Sequence, residues 1–229
     1  MENPIWAKVD EYFGAIVQED EALKAAAREA EAAGLPAIAV SASQGKLLML
    51  MAQMIGARKI LEVGTLAGYS TIWLARGLAA GGKLITLEYD AKHAEVAKKN
   101  LVRAGLSGVV EVRVGDATKT MPELVKEEAG PFDLIFLDAN KDGYPTYFEW
   151  SLKLARAGTV ILADNVVRDG GVVDAESKDA SIQGVRRLNE MLAAEKRVSA
   201  TAIQTVGSKG YDGFAVMIVG QEDLQRRSA

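Results

Sequence analysis

Four polar residues at the ends of two apolar runs are of types that could bind a cation and move a proton. Asp138 ends the run Phe132–Leu137, Lys141 lies three residues later, and Asp164 and Asn165 end the next apolar run. Two carboxylates and an amide oxygen form an all-oxygen ligand set, which favours Mg²⁺, Mn²⁺ or Ca²⁺ over zinc. If the two runs are neighbouring strands, these oxygens converge beyond the carboxyl ends of the strands, where ligands bind in open α/β sheets.

A simpler interpretation remains open for each of these residues. Asp138 and Asp164 could cap the loops or helices that follow them. Lys141 could be an ordinary surface lysine or form an ion pair with Asp138. Beside a cation, however, Lys141 would be a neutral amine that can accept a proton.

A second group of residues could hold a nucleoside. Glu62 ends an apolar run, and Gly64 and Gly68 lie in a turn that leads into a helical pattern, so backbone and helix N–H groups can approach a ligand. Leu66 fills the middle position of the G-x-G-x-x-G spacing that pyrophosphate-binding loops need. Glu88 closes the next apolar run, where an acid can bind two ribose hydroxyls. S-adenosylmethionine (SAM), an amino-bearing nucleoside without a diphosphate, fits both acids.

Short apolar runs that alternate with helical patterns must position these residues. The pattern predicts strands at 58–63, 83–88, 109–114, 132–138 and 158–163, and helices at 69–80, 91–105, 118–129, 145–156 and 179–194. Such alternation implies right-handed crossovers and a mostly parallel sheet covered on both faces. Residues 198–205 and 213–219 leave no room for a helix between them and predict a hairpin, so one terminal strand is antiparallel. Residues 4–33 predict two helices, the second capped by Asp20, and residues 45–55 predict a third.

The composition and charge of the chain exclude several classes of protein. The 229 residues suit one large α/β domain (1–229), with residues 1–40 as a helical N-terminal extension. The absence of cysteine excludes disulfides, thiolate metal sites and cysteine nucleophiles. A net charge of −4 argues against non-specific nucleic-acid binding. No apolar run is long enough for a membrane span, and no signal peptide is recognised, so we expect a cytoplasmic protein with no membrane partner.

Together these motifs resemble the cation-dependent class I O-methyltransferases, the family of caffeoyl-CoA O-methyltransferase and catechol O-methyltransferase. The matching segments are LEVGT at 61–65, GYS at 68–70, GDA at 115–117, DANK at 138–141, YFE at 147–149 and ADNV at 163–166. The resemblance extends from about Ser41 to the C-terminus. It implies an α/β fold, a Rossmann-like class I methyltransferase sandwich, whose mostly parallel seven-stranded sheet has a C-terminal antiparallel hairpin and N-terminal helices.

The resemblance also implies a role for each matching residue. The cofactor-binding set is Val40, Glu62, Gly64, Thr65, Ser70, Glu88, Asp116, Ala117 and Asp138. The metal-binding set is Asp138, Asp164 and Asn165. The catalytic residues are Lys141, as general base, and Asp138. Within the cofactor set, Glu88 would bind the ribose hydroxyls, and Asp116 and Ala117 would border the adenine.

The expected reaction transfers the methyl group of SAM to a hydroxyl of a metal-chelated vicinal-diol aromatic, such as a catechol or hydroxycinnamate. The resemblance also implies that the protein forms a homodimer. Three alternatives stay open: a tRNA hydroxyuridine O-methyltransferase, a nicotinamide-dependent oxidoreductase and a non-catalytic nucleoside-binding protein. The sequence leaves open the natural acceptor and the roles of Arg168 and of the loop Lys209–Tyr211.

Overall fold

Helices and strands alternate along the chain in the computed structural model, which describes residues 5–220. The helices are α1 (Ile5–Val17), α2 (Glu21–Ala32), α3 (Ala42–Met54), α4 (Tyr69–Arg76), α5 (Ala91–Arg103), α6 (Ala117–Lys126), α7 (Tyr144–Leu154) and α8 (Ala180–Ala194). The strands are β1 (Lys59–Val63), β2 (Lys83–Glu88), β3 (Val110–Val114), β4 (Phe132–Leu137), β5 (Ala155–Asp164), β6 (Val198–Gly207) and β7 (Gly210–Val219). Short 3₁₀ helices occupy Lys141–Gly143 and Gly171–Val173.

Every predicted helix and strand is present, and the boundaries differ from the predicted ones by up to four residues. Helix α4 ends at Arg76 rather than at residue 80, because Gly77 bonds back to the last turn and Gly81 adopts a left-handed φ of 74°. Strand β5 begins three residues earlier than predicted. The predicted hairpin is present, and its strands β6 and β7 run to Gly207 and from Gly210, so the connection between them is shorter than the gap between the predicted strands. Backbone pairing continues there through polar residues that the hydrophobic pattern does not identify as strand.

The described chain divides into two compact units. The first comprises the described residues up to Ala117 together with Val206–Gly210. Its strands β1, β2 and β3 are parallel, with Leu61 opposite Ile85 and Ile85 opposite Glu111. Helix α3 packs on α4, and α2 packs on α5. Strand β1 is buried on both faces, as expected for a parallel strand covered by helices.

The second unit comprises Thr118–Thr205 and the described residues from Tyr211 onward. Strands β4 and β5 are parallel, with Leu137 opposite Ala163, and β7 pairs with β5 in the antiparallel sense. Helix α8 packs on α7 and on the 3₁₀ turn at Lys141–Gly143. The fourth and fifth strands are therefore neighbours, which is the condition on which the cation site depended, and the predicted antiparallel terminal strand is confirmed.

Within residues 5–220, seven strands form a mixed sheet, as predicted. No helix in this described range combines the length and the apolar character needed to cross a membrane. The single domain over 1–229 stays a prediction. Residues 1–4 and 221–229, which that prediction includes, lie outside the described residues.

Candidate functional site

Glu88, at the end of β2, joins the ends of three strands in the first unit. Its Oε2 atom accepts the backbone N–H groups of Thr65 (3.1 Å) and Leu66 (2.7 Å), which follow β1. Its Oε1 atom accepts the N–H of Asp90 (2.9 Å), and its carbonyl accepts the N–H of Gly115, which follows β3. One carboxylate therefore fixes the turn after β1. Leu66 in that turn has a φ of 51°, which is unusual for a residue with a side chain.

Glu62 is completely buried and lies behind this turn. Its Oε1 atom accepts the hydroxyl of Ser70 (2.6 Å), and its Oε2 atom accepts the hydroxyls of Thr71 and Thr86. Thr65 completes the cluster through a 2.6 Å hydroxyl contact with Thr86. These hydroxyls satisfy the charge that burial would otherwise disfavour. The cofactor contact expected of Glu62 stays a prediction.

The remaining members of the predicted cofactor set lie at element boundaries of the first unit. Gly64 continues the pairing of β1 with β2, since its N–H bonds to the Leu87 carbonyl at 2.9 Å. Val40 is buried just before Ser41, the N-cap of α3, while Ala117 is buried at the start of α6. Gly68 precedes α4 with a φ of 82°, and no side chain caps this helix. The N-terminus of α4 therefore presents backbone donors beside Glu62 and Glu88.

Three residues of this unit escaped the sequence-based prediction. Thr71 and Thr86 complete the hydroxyl cluster around Glu62. The side chain of His93 is 21% exposed, and its Nδ1 atom lies 3.5 Å from Glu88 Oε1. The sequence could have identified Thr86, because Thr86 lies two residues before Glu88 and strand residues two apart share a face of the sheet.

In the second unit, the register of β4 and β5 brings Asp138 and Asp164 side by side. Leu137 lies opposite Ala163, and these aspartates are the next residues along the two strands. The buried Tyr144 hydroxyl lies 2.9 Å from the Leu137 carbonyl and 2.6 Å from the Asp164 carbonyl, and its single proton is shared between them. The predicted convergence of these two strand ends is therefore present.

Lys141 lies against Asp138, three residues further along the chain. Its Nζ atom is 2.8 Å from Asp138 Oδ1, and its side chain is only 9% exposed. Burial raises the pKa of Asp138, and the charge and hydrogen bond of Lys141 oppose that rise. Gly184 of α8 packs directly on the Lys141 carbonyl, which fixes the backbone of this turn. The arrangement holds a nearly buried amine at the end of β4.

Asp164 and Asn165 supply the other oxygens of the predicted cation set. Asp164 is 4% exposed, and its Oδ1 atom accepts the N–H of Asn165 at 2.8 Å. Asn165 has a left-handed φ of 54°. Among residues 5–220, no three Asp, Glu, His or Cys side chains are grouped to hold a metal, so a cation here would depend on two carboxylates and the Asn165 amide. That donor set, oxygen only, fits a hard divalent cation completed by water or acceptor oxygens.

Asp212 of β7 is a further acidic residue that the sequence did not single out. Its Oδ1 atom accepts the N–H groups of Val167, Arg168 and Gly213, each at 3.0 Å. It therefore holds the segment that follows Asn165. Burial raises the pKa of the Tyr144 hydroxyl, the carboxylates of Asp138, Asp164 and Asp212 raise it further, and the charge of Arg168 opposes them. These five side chains therefore form one electrostatic cluster.

The predicted residues thus fall into two groups. The cofactor-binding set lies in the first unit except for Asp138, whereas the cation set and Lys141 lie in the second. The first group offers acids and backbone donors, which suit an amino-bearing nucleoside. The second offers oxygen ligands and a lysine that could accept a proton.

The chain matches a family model described as "O-methyltransferase" over residues 14–213. It is 55% identical over 220 residues to a catechol O-methyltransferase of Niastella koreensis, covering 96% of this chain and 100% of the relative. These matches span nearly the whole described chain.

Two solved structures have the same fold. The O-methyltransferase of Bacillus cereus in complex with SAH has a TM-score of 0.93 and 54% identity, covering 94% of this chain and 98% of that one. The O-methyltransferase TomG of Streptomyces achromogenes, involved in tomaymycin synthesis and solved with SAM, has a TM-score of 0.93 and 50% identity, covering 96% and 100%. The predicted Rossmann-like methyltransferase fold is confirmed.

Proposed function

The chain belongs to the O-methyltransferase family, and we propose that it transfers the methyl group of SAM to one hydroxyl of a vicinal-diol aromatic held by a divalent cation. The observation that carries this proposal is the nearly buried Lys141 amine, 2.8 Å from Asp138 at the joined ends of β4 and β5. A base held beside oxygen ligands suits deprotonation of a phenol. The relative from Niastella koreensis, named a catechol O-methyltransferase, supports the acceptor class.

The first unit has donors and acceptors that fit SAM. Each oxygen of an ionised carboxylate can accept two hydrogen bonds, so Glu88 Oε1, which accepts one backbone N–H, retains capacity for a ribose hydroxyl. The turn at Gly64 and Thr65 and the uncapped start of α4 would face the amino-acid end. Asp116 and Ala117, after β3, would border the adenine. SAM supplies an electrophilic methyl group on a sulfonium.

The second unit would hold the cation through Asp138, Asp164 and Asn165. A bound divalent cation supplies Lewis-acid stabilisation of negative charge on the acceptor oxygen. A phenol with a pKa near 10 is mostly protonated at neutral pH, so it needs both this stabilisation and a base.

Lys141 performs the proton transfer in this scheme. In its neutral form beside a bound cation, the amine would donate one N–H to Asp138 Oδ1 at 2.8 Å, which fixes its position, and its lone pair would accept the proton of the acceptor hydroxyl. The acceptor oxygen then forms the new O–C bond while the S–C bond breaks and its electron pair stays on sulfur. Apart from this proton transfer, the protein contributes orientation and charge stabilisation.

The experiment measures methyl transfer from SAM to catechol and to 3,4-dihydroxycinnamate, with EDTA and with added Mg²⁺. We expect transfer that EDTA abolishes and Mg²⁺ restores. Asp164→Ala should lose both the activity and its response to Mg²⁺. Glu176→Ala, which removes an exposed carboxylate in the same unit, is the matched control and should behave as wild type. Activity in EDTA, or a fully active Asp164→Ala that still responds to Mg²⁺, would contradict the cation assignment.

We also propose that the chain forms a homodimer through α1. Six large apolar side chains on this helix are at least 40% exposed: Ile5, Trp6, Val9, Tyr12, Phe13 and Ile16. An exposed apolar face of this extent is characteristic of an interaction surface.

A further inference from the structure

The Arg168 side chain belongs to the electrostatic cluster of the second unit, yet the proposed reaction does not use it. Its Nε atom is buried and has no hydrogen-bond partner among the described residues. Buried polar atoms in native proteins are nearly always paired, so an unpaired guanidinium N–H indicates a missing partner. The partner must be a hydrogen-bond acceptor, because arginine has only donors.

The backbone of Arg168 is fixed rather than loose. Asp212 Oδ1 accepts the N–H groups of Val167 and Arg168 at 3.0 Å, and the N–H of Val166 bonds to the Gly213 carbonyl at 3.0 Å. Arg168 has a φ of 55°, a conformation that persists only where surrounding contacts impose it. Among the described residues, the hydrogen bonds that Asp212 Oδ1 accepts all come from backbone N–H groups. Asp212 therefore holds the backbone of Arg168 through this oxygen and not through the guanidinium.

Arg168 lies close along the chain to the proposed cation site. It follows Asn165 by three residues, and the N–H of Asn165 bonds to Asp164 Oδ1 at 2.8 Å. An acceptor held at Asp164 and Asn165 would therefore lie near the segment that carries Arg168. The residue as a whole is partly exposed, while its Nε atom is buried.

We propose that Arg168 is a specificity-determining residue that binds a carboxylate substituent of the aromatic acceptor. Guanidinium and carboxylate groups match as a planar fork, in which Nε–H and one terminal N–H donate to the two oxygens. The buried, unpaired Nε supplies one arm of that fork. The inference rests on the proposed function, since it places the acceptor at the cation site.

The test compares 3,4-dihydroxybenzoate with 3,4-dihydroxybenzamide, a neutral acceptor of nearly the same shape. We expect wild type to have the higher kcat/KM for the benzoate. Arg168→Gln should reduce that preference by about 10- to 100-fold, because it removes a charge-assisted hydrogen bond. Arg168→Lys should retain part of it, since an ammonium keeps the charge but lacks the fork. Arg187→Gln, which removes an exposed arginine of the same unit, should leave the preference unchanged.

Isothermal titration of the same two compounds into the enzyme with Mg²⁺ and S-adenosylhomocysteine gives a readout independent of turnover. Tighter binding of the benzoate to wild type, lost in Arg168→Gln, supports the proposal. Equal losses for both compounds would assign Arg168 a structural role and overturn it, as would an unchanged preference in Arg168→Gln. If no variant transfers methyl to either compound, the proposed reaction fails, and the titrations still decide the role of Arg168.

Discussion

The buried carboxylate of Glu62 illustrates how single residues shape the first unit. Hydroxyls from β2 and from the first turn of α4 all point at it, so this one side chain ties a strand to the helix that follows the turn. A carboxylate without such donors would be strongly disfavoured in this position. Glu62 therefore contributes to the shape of the candidate cofactor site whether or not it contacts the ligand.

Lys141 gives the sharpest prediction at the residue scale. Lys141→Ala should lower kcat by about 10²- to 10⁴-fold, because general-base catalysis contributes a factor of that order. The affinity for SAM, measured by isothermal titration, should stay within the error of wild type. Lys153→Ala, at an exposed lysine of the same unit, is the control for lost charge. Undiminished turnover in Lys141→Ala would remove the proposed base.

At the scale of elements, Asp20 caps α2 as predicted. Its side chain accepts the N–H of Leu23 at 3.1 Å and contacts Arg76 of α4 at 2.5 Å. Partial burial alone would raise the pKa of Asp20, but the bonds from Arg76 and Leu23 outweigh it and hold the pKa below 3.8. The carboxylate therefore stabilises the fold above pH 3.8, and the contribution disappears as the pH falls through the lower pKa of the folded state.

Asp20→Ala should therefore lower the free energy of unfolding by about 1 kcal/mol at pH 7, the usual value of a lost cap. The difference from wild type should shrink in the acid range below the ordinary aspartate pKa. Asp20→Asn keeps a good cap and should lose less. Urea titrations at several pH values measure both variants, and a pH-independent difference would refute the ionic part of the argument.

Gly184 links helix α8 to the position of Lys141. A Cβ atom there would lie 2.1 Å from the Lys141 carbonyl and 2.6 Å from Asp142 Cα, so backbone must move to accommodate it. Gly184→Ala should destabilise the protein by about 1–3 kcal/mol, the range for overpacking. Gly14→Ala is the matched control, because nothing lies within 4 Å of that added Cβ on α1.

The two glycine variants should differ in activity as well as stability. Gly14→Ala should be neutral or stabilise by up to about 1 kcal/mol through helix propensity. Measuring thermal unfolding and kcat for both variants separates the effect on stability from the effect on catalysis. If folded Gly184→Ala turned over SAM as fast as wild type, contact with α8 would not position the lysine.

At the scale of the whole molecule, the exposed face of α1 predicts a dimer. Tyr12 and Ile16 are 79% and 72% exposed. Light scattering after gel filtration should give about twice the 24.4 kDa chain mass for wild type. The double variant Tyr12→Ser/Ile16→Ser should give the mass of one chain, whereas Val102→Ser, at another exposed apolar residue, should not. A wild-type mass of 24.4 kDa would contradict the dimer.

The sequence predicted the element order because apolar periodicity reports local backbone geometry directly. It placed every helix and strand of the described chain, and it placed Asp138, Asp164 and Asn165 at strand ends. It predicted the C-terminal hairpin but made its strands too short, since residues 206–207 and 210–212 lack an apolar pattern although they belong to the strands. The O-methyltransferase family followed from the order of the motifs, not from any one of them.

Only the tertiary structure decided which groups each polar residue meets. The hydroxyl cluster around Glu62 joins residues 24 positions apart, and Asp212 reaches Val167 across 45 positions. Such contacts depend on strand register and on side-chain direction, which no local pattern encodes. For the same reason, the sequence by itself predicted which residues would carry the chemistry, and the fold decided that Arg168 is fixed by its backbone and keeps a buried, unpaired donor.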